Sequence, residues 1–272
     1  MDEAGSGPHT EERLRAQLAA LGVRPGGVVL AHASLRAVGP VAGGGQTVLR
    51  ALCGALGADG TVVVPTFTAR NSDTSPAYRE RVRGLAEAER AAVREAMPAY
   101  DAAAMPSDAG VGVLPELVRT TAGAVRSAHP QTSFAALGPH AERVVSGHRP
   151  DCHLGEASPL ARLYDMGARI LLLGTGFDRC TAFHLGEYRV ARPPRRTYRC
   201  VIREGGVRRW WAYEDVALDD GDFAALGADL ERDRPGAVRR GPVGSAPTCR
   251  LVELAPAVDY AKGWLERNRA YG

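Results

Sequence analysis

Apolar residues recur at helical spacing through residues 10–21 (TEERLRAQLAAL), the mark of a helix with one buried face. Thr10 can cap it, with Glu11 and Glu12 in the first turn, and Gly22 followed by Pro25-Gly26-Gly27 ends it. The pattern then changes. Residues 27–31 (GVVLA) and 61–64 (TVVV) are unbroken apolar runs, as expected of short strands covered on both faces. Residues 46–56 between them read as a helix that starts after Gly43-Gly44-Gly45. Strand, helix and strand in this order form the unit of a parallel α/β sheet.

Residues 69–108 interrupt this rhythm. The stretch 71–77 (NSDTSPA) is rich in turn formers, and 79–96 reads as one charged, Ala-rich helix with little apolar stripe. We expect a helical insertion at about 71–104 that lies over the sheet as a lid or an oligomer contact. Residues 105–112 (MPSDAGVG) form a glycine-containing loop that leads into a helix at 113–120. A strand at 133–137 follows His129-Pro130, a helix is expected near 139–146, and 169–173 (RILLL) is the clearest strand of all. From Tyr198 onward, 198–202 and 207–213 alternate around Glu204-Gly205-Gly206, which suits a β-hairpin. Helices at 222–233 and 258–268 follow. The expected fold is a single α/β domain over 1–272 with a mostly parallel central sheet and a C-terminal hairpin and helix portion.

Composition narrows the function classes. A chain of 272 residues, 24% of them charged, can bury a sizeable core, so disorder is expected only in the polar, Gly-rich opening 1–12. The formal charge is +3 and no long Lys/Arg block occurs, which argues against a nucleic-acid partner. The Arg-rich stretches 192–199 and 232–240 suit either a phosphate-bearing ligand or a solvated surface. Five widely spaced cysteines with no CxxC pair disfavour a disulfide framework and a structural zinc. No apolar run is long enough for a membrane helix and no signal peptide is recognisable, so the expected compartment is the cytoplasm.

Candidate chemistry gathers after strand 169–173, where ligands of parallel sheets bind. Gly174-Thr175-Gly176 comes first, and then Asp178, Thr181, His184 and Glu187. If 181–187 is helical, Thr181, His184 and Glu187 share a face. A carboxylate beside an imidazole fixes its tautomer and stabilises its protonated form, as a general base for an amine or hydroxyl requires. The same spacing also describes an ordinary surface pair. His32-Ala33-Ser34-Leu35 follows the first strand, where small residues let backbone N–H groups approach a ligand, although a core histidine fits equally well. The loop 105–112 precedes a helix N-terminus, a place that favours anions. Cys180 reads as a buried bystander.

Several blocks in fixed order carry more than any one of them: LGVRPGGVVLAHASLRAVG (21–39), ADGTVVVPTFT (58–68), YDAAAMPSDAGVGVLPELVR (100–119), RSAHPQTSFAALGP (126–139), ASPLARLYDMGARILLLGTGFDRCTAFHLGEY (157–188) and GPVGSA (241–246). Together they resemble the aminoglycoside 3-N-acetyltransferases over roughly residues 10–250. The resemblance implies a fold unlike that of GCN5 and metal-free acetyl transfer from acetyl-CoA to the 3-amino group of 2-deoxystreptamine. It makes His184 the base and Glu187 its carboxylate. It assigns His32, Ala33, Ser34, Leu35, Thr66, Ser107, Gly110, Val111 and Gly112 to acetyl-CoA, and it lines the cleft with His129 and Thr181. Asp73, Asp101 and Asp178 are the candidate grips for the cationic aminoglycoside. A monomer or homodimer is expected. Two positions depart from the family pattern: Ala33 stands where a serine is frequent, and Gln131-Thr132-Ser133 where a second histidine is frequent. The competing readings are acetylation of another amine, a metal-dependent hydrolase using His32, His129, His184 and Glu187, and a binding protein without turnover.

Overall fold

The computed structural model describes residues 7–271. Of the stretch 1–12 expected to be disordered, residues 1–6 lie outside the described residues. From residue 7 onward the chain is tied down: the backbone N–H of His9 donates to the Pro40 carbonyl at 2.8 Å. Helix α1 (Glu11–Leu21) begins after Thr10, whose hydroxyl accepts from the Arg13 N–H, and it ends at Gly22 in the left-handed region. Strand β1 (Val28–Ala33), helix α2 (Leu35–Val38), helix α3 (Gly44–Leu56) and strand β2 (Thr61–Pro65) follow. β1 and β2 pair in parallel, Val29 opposite Val62.

The 71–104 segment holds two helices where the sequence suggests one. These are α4 (Pro76–Arg81) and α5 (Glu87–Glu95), separated by a turn with Gly84 at φ 77°. Then come α6 (Val113–Arg119), β3 (Val125–Arg126), β4 (Phe134–Leu137), α7 (Ala141–Val145), α8 (Pro159–Asp165) and β5 (Arg169–Leu173). Helix α9 (Phe183–Arg189) precedes the hairpin of β6 (Arg195–Glu204) and β7 (Val207–Val216), and α10 (Phe223–Asp233) follows it. A second hairpin, β8 (Val238–Val243) and β9 (Ala246–Glu253), runs into α11 (Leu254–Asn268).

The central sheet has seven strands in the order β3-β4-β2-β1-β5-β9-β8. β3, β2, β1, β5 and β8 run one way, while β4 and β9 run against them. Most strands are thus parallel in direction, yet only β1–β2 and β1–β5 pair in parallel. The reason is connectivity. β8 and β9 are joined by the two-residue turn Gly244-Ser245, and a short turn of this kind forces antiparallel pairing.

Period-two alternation sorts the strands onto two cores. Val29, Ala31, Val62, Val64, Leu171 and Leu173 face α1, α3 and α6. Val28, Leu30, Val63, Ile170 and Leu172 face the residues of α7 to α11. This is why the three central strands read as unbroken apolar runs. The inserted segment packs on the β6–β7 hairpin. Tyr78, Val82 and Met97 bury with Val201, and the Asn71 amide donates to the carbonyls of Pro130 and Val201 at 3.0 and 3.3 Å.

Helices α9 and α11 touch at Gly186. A Cβ there would lie 2.9 Å from the Ala261 Cβ and 3.1 Å from the Lys262 backbone nitrogen. Gly186→Val is therefore expected to destabilise the fold by about 1–3 kcal/mol through overpacking. Thermal unfolding checks this, and an unchanged Tm would show that the two helices can separate freely.

Candidate active site

The parallel strands β1, β2 and β5 all end at one edge of the sheet, and an open cleft of about 610 Å³ lies there. One wall is the exit of β1: His32, Ala33, Ser34, Leu35 and Arg36. Pro65 and Phe67 come from the exit of β2, and Gly110, Val111, Gly112 and Val113 from the start of α6. Gly174, Thr175 and Gly176 follow β5, and Asp178, Arg179, Cys180, Thr181 and His184 continue that wall. Asp220 and Phe223 close it. Gly174 is at φ 66°, and a Cβ on it would come within 2.8 Å of the Ala37 Cβ. Only glycine lets β5 turn so tightly beside the β1 exit.

His184 sits in the first turn of α9, and Glu187 lies one turn on, so the two side chains meet. His184 Nδ1 is 2.5 Å from Glu187 Oε2, with both residues buried. Glu187 Oε1 accepts from the Asp219 backbone N–H at 3.0 Å and from Arg269 Nη1. A carboxylate holding a guanidinium is ionised and can only accept. Nδ1 of His184 is therefore the N–H donor, which leaves Nε2 as the free lone pair of a residue on the cleft wall. The ring packs 4.7 Å from that of Phe223.

His32 is a second imidazole on the wall. Burial alone pushes its pKa down to about 4, and its Nε2 is buried without a partner. Cys180 has no exposed surface, and burial pushes its thiol up to about 12. A thiol held protonated in this way is no nucleophile at neutral pH.

The cleft thus gathers His184, His32, Ala33, Ser34, Leu35, Gly110, Val111, Gly112, Asp178 and Thr181 from the sequence candidates, with Glu187 behind His184. Five others lie elsewhere. Thr66 turns the opposite way from Pro65 and Phe67 because alternate residues of a strand face opposite sides. Its hydroxyl lies 3.0 Å from Ser133 Oγ and accepts from Arg126 Nε. Ser107 gives both its N–H and its hydroxyl to Glu116 Oε2, at 3.1 and 2.9 Å. Asp73, within the inserted segment, is ion-paired with Arg199 of β6. Asp101 accepts the N–H groups of Ala103 and Ala104 in a surface turn.

His129 is fully buried in a separate histidine cluster. Its ring lies 4.7 Å from that of His148 and 4.8 Å from that of His153. Its Nδ1 accepts the N–H groups of Gln131 and Thr132 at 3.1 and 3.0 Å. His153 Nδ1 is 2.9 Å from Asp215 Oδ2. Among the described residues no three His, Cys, Asp or Glu side chains converge so as to hold a metal ion. Among the described residues, His32, His129, His184 and Glu187 thus do not come together as the ligands of one ion.

Sequence reasoning missed Arg36, Phe67, Asp220, Phe223 and Arg269. Arg36 adjoins a block already singled out. Asp220 lies in Asp219-Asp220-Gly221-Asp222, which has the composition of any solvated turn. For Arg269 no sequence signal exists.

Residues 30–266 match the family model described as aminoglycoside 3-N-acetyltransferase. Aminoglycoside N(3)-acetyltransferase VIII of Streptomyces fradiae is 38% identical over 97% of this chain and 94% of its own. The chain belongs to the aminoglycoside 3-N-acetyltransferase family. The crystal structure of the YokD protein from Bacillus subtilis superposes with a TM-score of 0.90 at 34% identity, covering 98% of this chain and 96% of that one. The binary complex of AAC-IIIb with CoASH superposes at 0.82 and 29% identity, covering 98% and 99%. The cleft of this family member and its buried His184–Glu187 pair are thus features of an acetyltransferase chain.

Proposed function

We propose that this enzyme transfers the acetyl group of acetyl-CoA to the 3-amino group of 2-deoxystreptamine aminoglycosides. The observation that carries this reading is the His184–Glu187 pair on the wall of an open cleft at the carboxyl edge of the sheet. Acylation replaces an ammonium group by a neutral amide and so removes one of the charges that hold an aminoglycoside to its anionic target, which is the chemistry of resistance.

The cleft suits both reactants. Arg36 lies on its wall and has no carboxylate partner within 4.0 Å among the described residues, so its guanidinium is available to a phosphate. Leu35, Pro65, Phe67, Val111 and Val113 offer an apolar track beside it for a chain such as pantetheine. Gly110 has open space around its α-carbon. Asp178 and Asp220 add carboxylates to the wall for a polycationic acceptor.

Acetyl-CoA supplies the acyl group as an activated thioester. The protein supplies the proton acceptor. An aminoglycoside amine is an ammonium group in neutral water and cannot attack until it loses a proton. His184 Nε2 takes that proton, and Glu187 stabilises the resulting imidazolium through Nδ1–H. Arg269 and the Asp219 N–H keep the other carboxylate oxygen occupied, so Oε2 stays on Nδ1. The freed amine attacks the thioester carbonyl, the C–S bond breaks, the departing CoA thiolate takes up the proton from Nε2, and the remaining proton on the acylated nitrogen is lost to water.

Incubation with acetyl-CoA and a panel of 2-deoxystreptamine aminoglycosides is expected to release free thiol, and NMR of the product is expected to place the acetyl group on N3. No thiol release with any member of the panel would overturn the reading, and acetylation at another nitrogen would overturn its regiochemistry.

A further inference from the structure

The segment after α11 brings Arg269 against the back of the catalytic pair. Its guanidinium uses four donor contacts. Nη1 reaches Glu187 Oε1, Nε and Nη2 reach the two oxygens of Asp222 at 2.7 and 2.5 Å, and Nη2 also reaches the Asp219 carbonyl at 2.6 Å. The Glu187 side chain is 3% exposed, so without this cation it would be a buried carboxylate left with an imidazole and one backbone N–H as partners and no countercharge of its own. The 219–222 turn held by the same guanidinium carries Asp220 to the cleft wall and leads into Phe223, whose ring packs on His184. One side chain therefore ties the carboxylate that orients the base to the wall that faces the substrate.

We propose that Arg269 is a positioning residue for the acetyl transfer, locking Glu187 and the 219–222 turn so that His184 Nε2 faces the attacking amine. This rests on His184 being the base. A planar fork with five donors can span Glu187, Asp222 and a backbone carbonyl at once, and a lysine cannot. The titratable and charged groups around the pair come from several elements: Asp219, Asp220 and Asp222 from the turn, Arg269 and the neutral Tyr271 after α11, and the neutral His153 from the neighbouring cluster. Arg269 is the cation bonded to Glu187, and it opposes positive charge on His184.

The test is Arg269→Gln and Arg269→Lys, assayed over pH. With Arg269→Gln, kcat is expected to fall about 10- to 100-fold through lost alignment, while KM for acetyl-CoA stays within about threefold. The acidic limb of kcat is expected to move to higher pH, because Glu187 freed of its cation holds the imidazolium proton more strongly. Arg269→Lys restores the limb but only part of kcat, and added methylguanidinium partly rescues Arg269→Gln. An unchanged kcat, or a fall with the limb unmoved and no rescue, overturns the proposal. If Arg269→Gln does not fold, Asp222→Asn loosens the same guanidinium. Lower kcat at constant KM supports the proposal there, and wild-type kcat overturns it. His184→Ala separates the two levels. If that variant turns over normally, the base assignment itself fails. If it is inactive while Arg269→Gln behaves like wild type, only the positioning role fails.

Discussion

His184→Ala is expected to lower kcat by about 10²–10⁴-fold, the usual contribution of a positioned general base, while the affinity for CoA is retained. No other group on the wall can replace it. His32 is held neutral down to a pH of about 4 by burial, and one of its ring nitrogens has no access to solvent. Asp178 is exposed and engaged with Arg179 at 3.1 Å, and Asp220 is exposed as well. Cys180 stays a thiol. Residual activity would come from proximity alone. Steady-state kinetics with titration calorimetry of CoA separate the outcomes, and near-normal turnover would remove His184 from the mechanism.

A second large effect is expected of the folded state in mild acid. His148 is buried, and burial pushes its pKa down to about 4 against the hydrogen bonds it gives to the carbonyls of Cys152 and His153. His32 is lowered to about 4 by burial. His129 is driven well below its ordinary value by burial and then by the neighbouring histidines. His153 is lowered by burial despite Asp215. A histidine whose folded pKa lies below its unfolded one keeps its full stabilisation above about pH 6.5. It loses that stabilisation as the pH falls toward the folded value, because the unfolded chain binds the proton first. The loss is about 1.4 kcal/mol per pH unit for each such group. By pH 5, His32 and His148 together remove roughly 4 kcal/mol, against a net stability of about 5–15 kcal/mol. Urea unfolding between pH 8 and pH 5 is expected to show this decline, and His148→Gln is expected to make it shallower. Equal stability at both ends would mean that these rings are not buried as neutral imidazoles.

The two effects differ in how far the sequence announces them. β1, β2 and β5 are legible because burial on both faces leaves no polar positions to blur the run. β8 and β9 are not, because β8 (VRRGPV) is an edge strand that tolerates Arg, Gly and Pro. The Gly244-Ser245 turn between them was the one available cue. The inserted segment reads as a cover for the sheet because its helices lack an apolar stripe. In the fold its few apolar side chains are claimed by the β6–β7 hairpin. Within the site, His184 and Glu187 are visible because a helix converts a spacing of three into contact. Thr66 and His129 mislead because nearness to a strand end does not say which way a side chain points. Arg269 lies 82 residues from Glu187, and no local pattern encodes a contact at that separation. The resemblance to a family supplied the cosubstrate, which no residue pattern here specifies by itself.

The strand order β3-β4-β2-β1-β5-β9-β8 has a kinetic consequence. The central strand β1 finds one partner soon after it in the chain but must wait for β5, more than a hundred residues later, to cover its other edge. Pairings of such high sequence separation carry a large loop-closure cost before any reward, so folding is slow and depends on chain topology more than on local propensity. Until β5 arrives, β1 presents an open edge of unpaired backbone N–H and C=O groups, flanked mostly by apolar side chains, to other chains. Substitutions in the long connection between β2 and β5 therefore act first on the yield of native enzyme, through aggregation of the half-built sheet, even where the finished active site would be untouched.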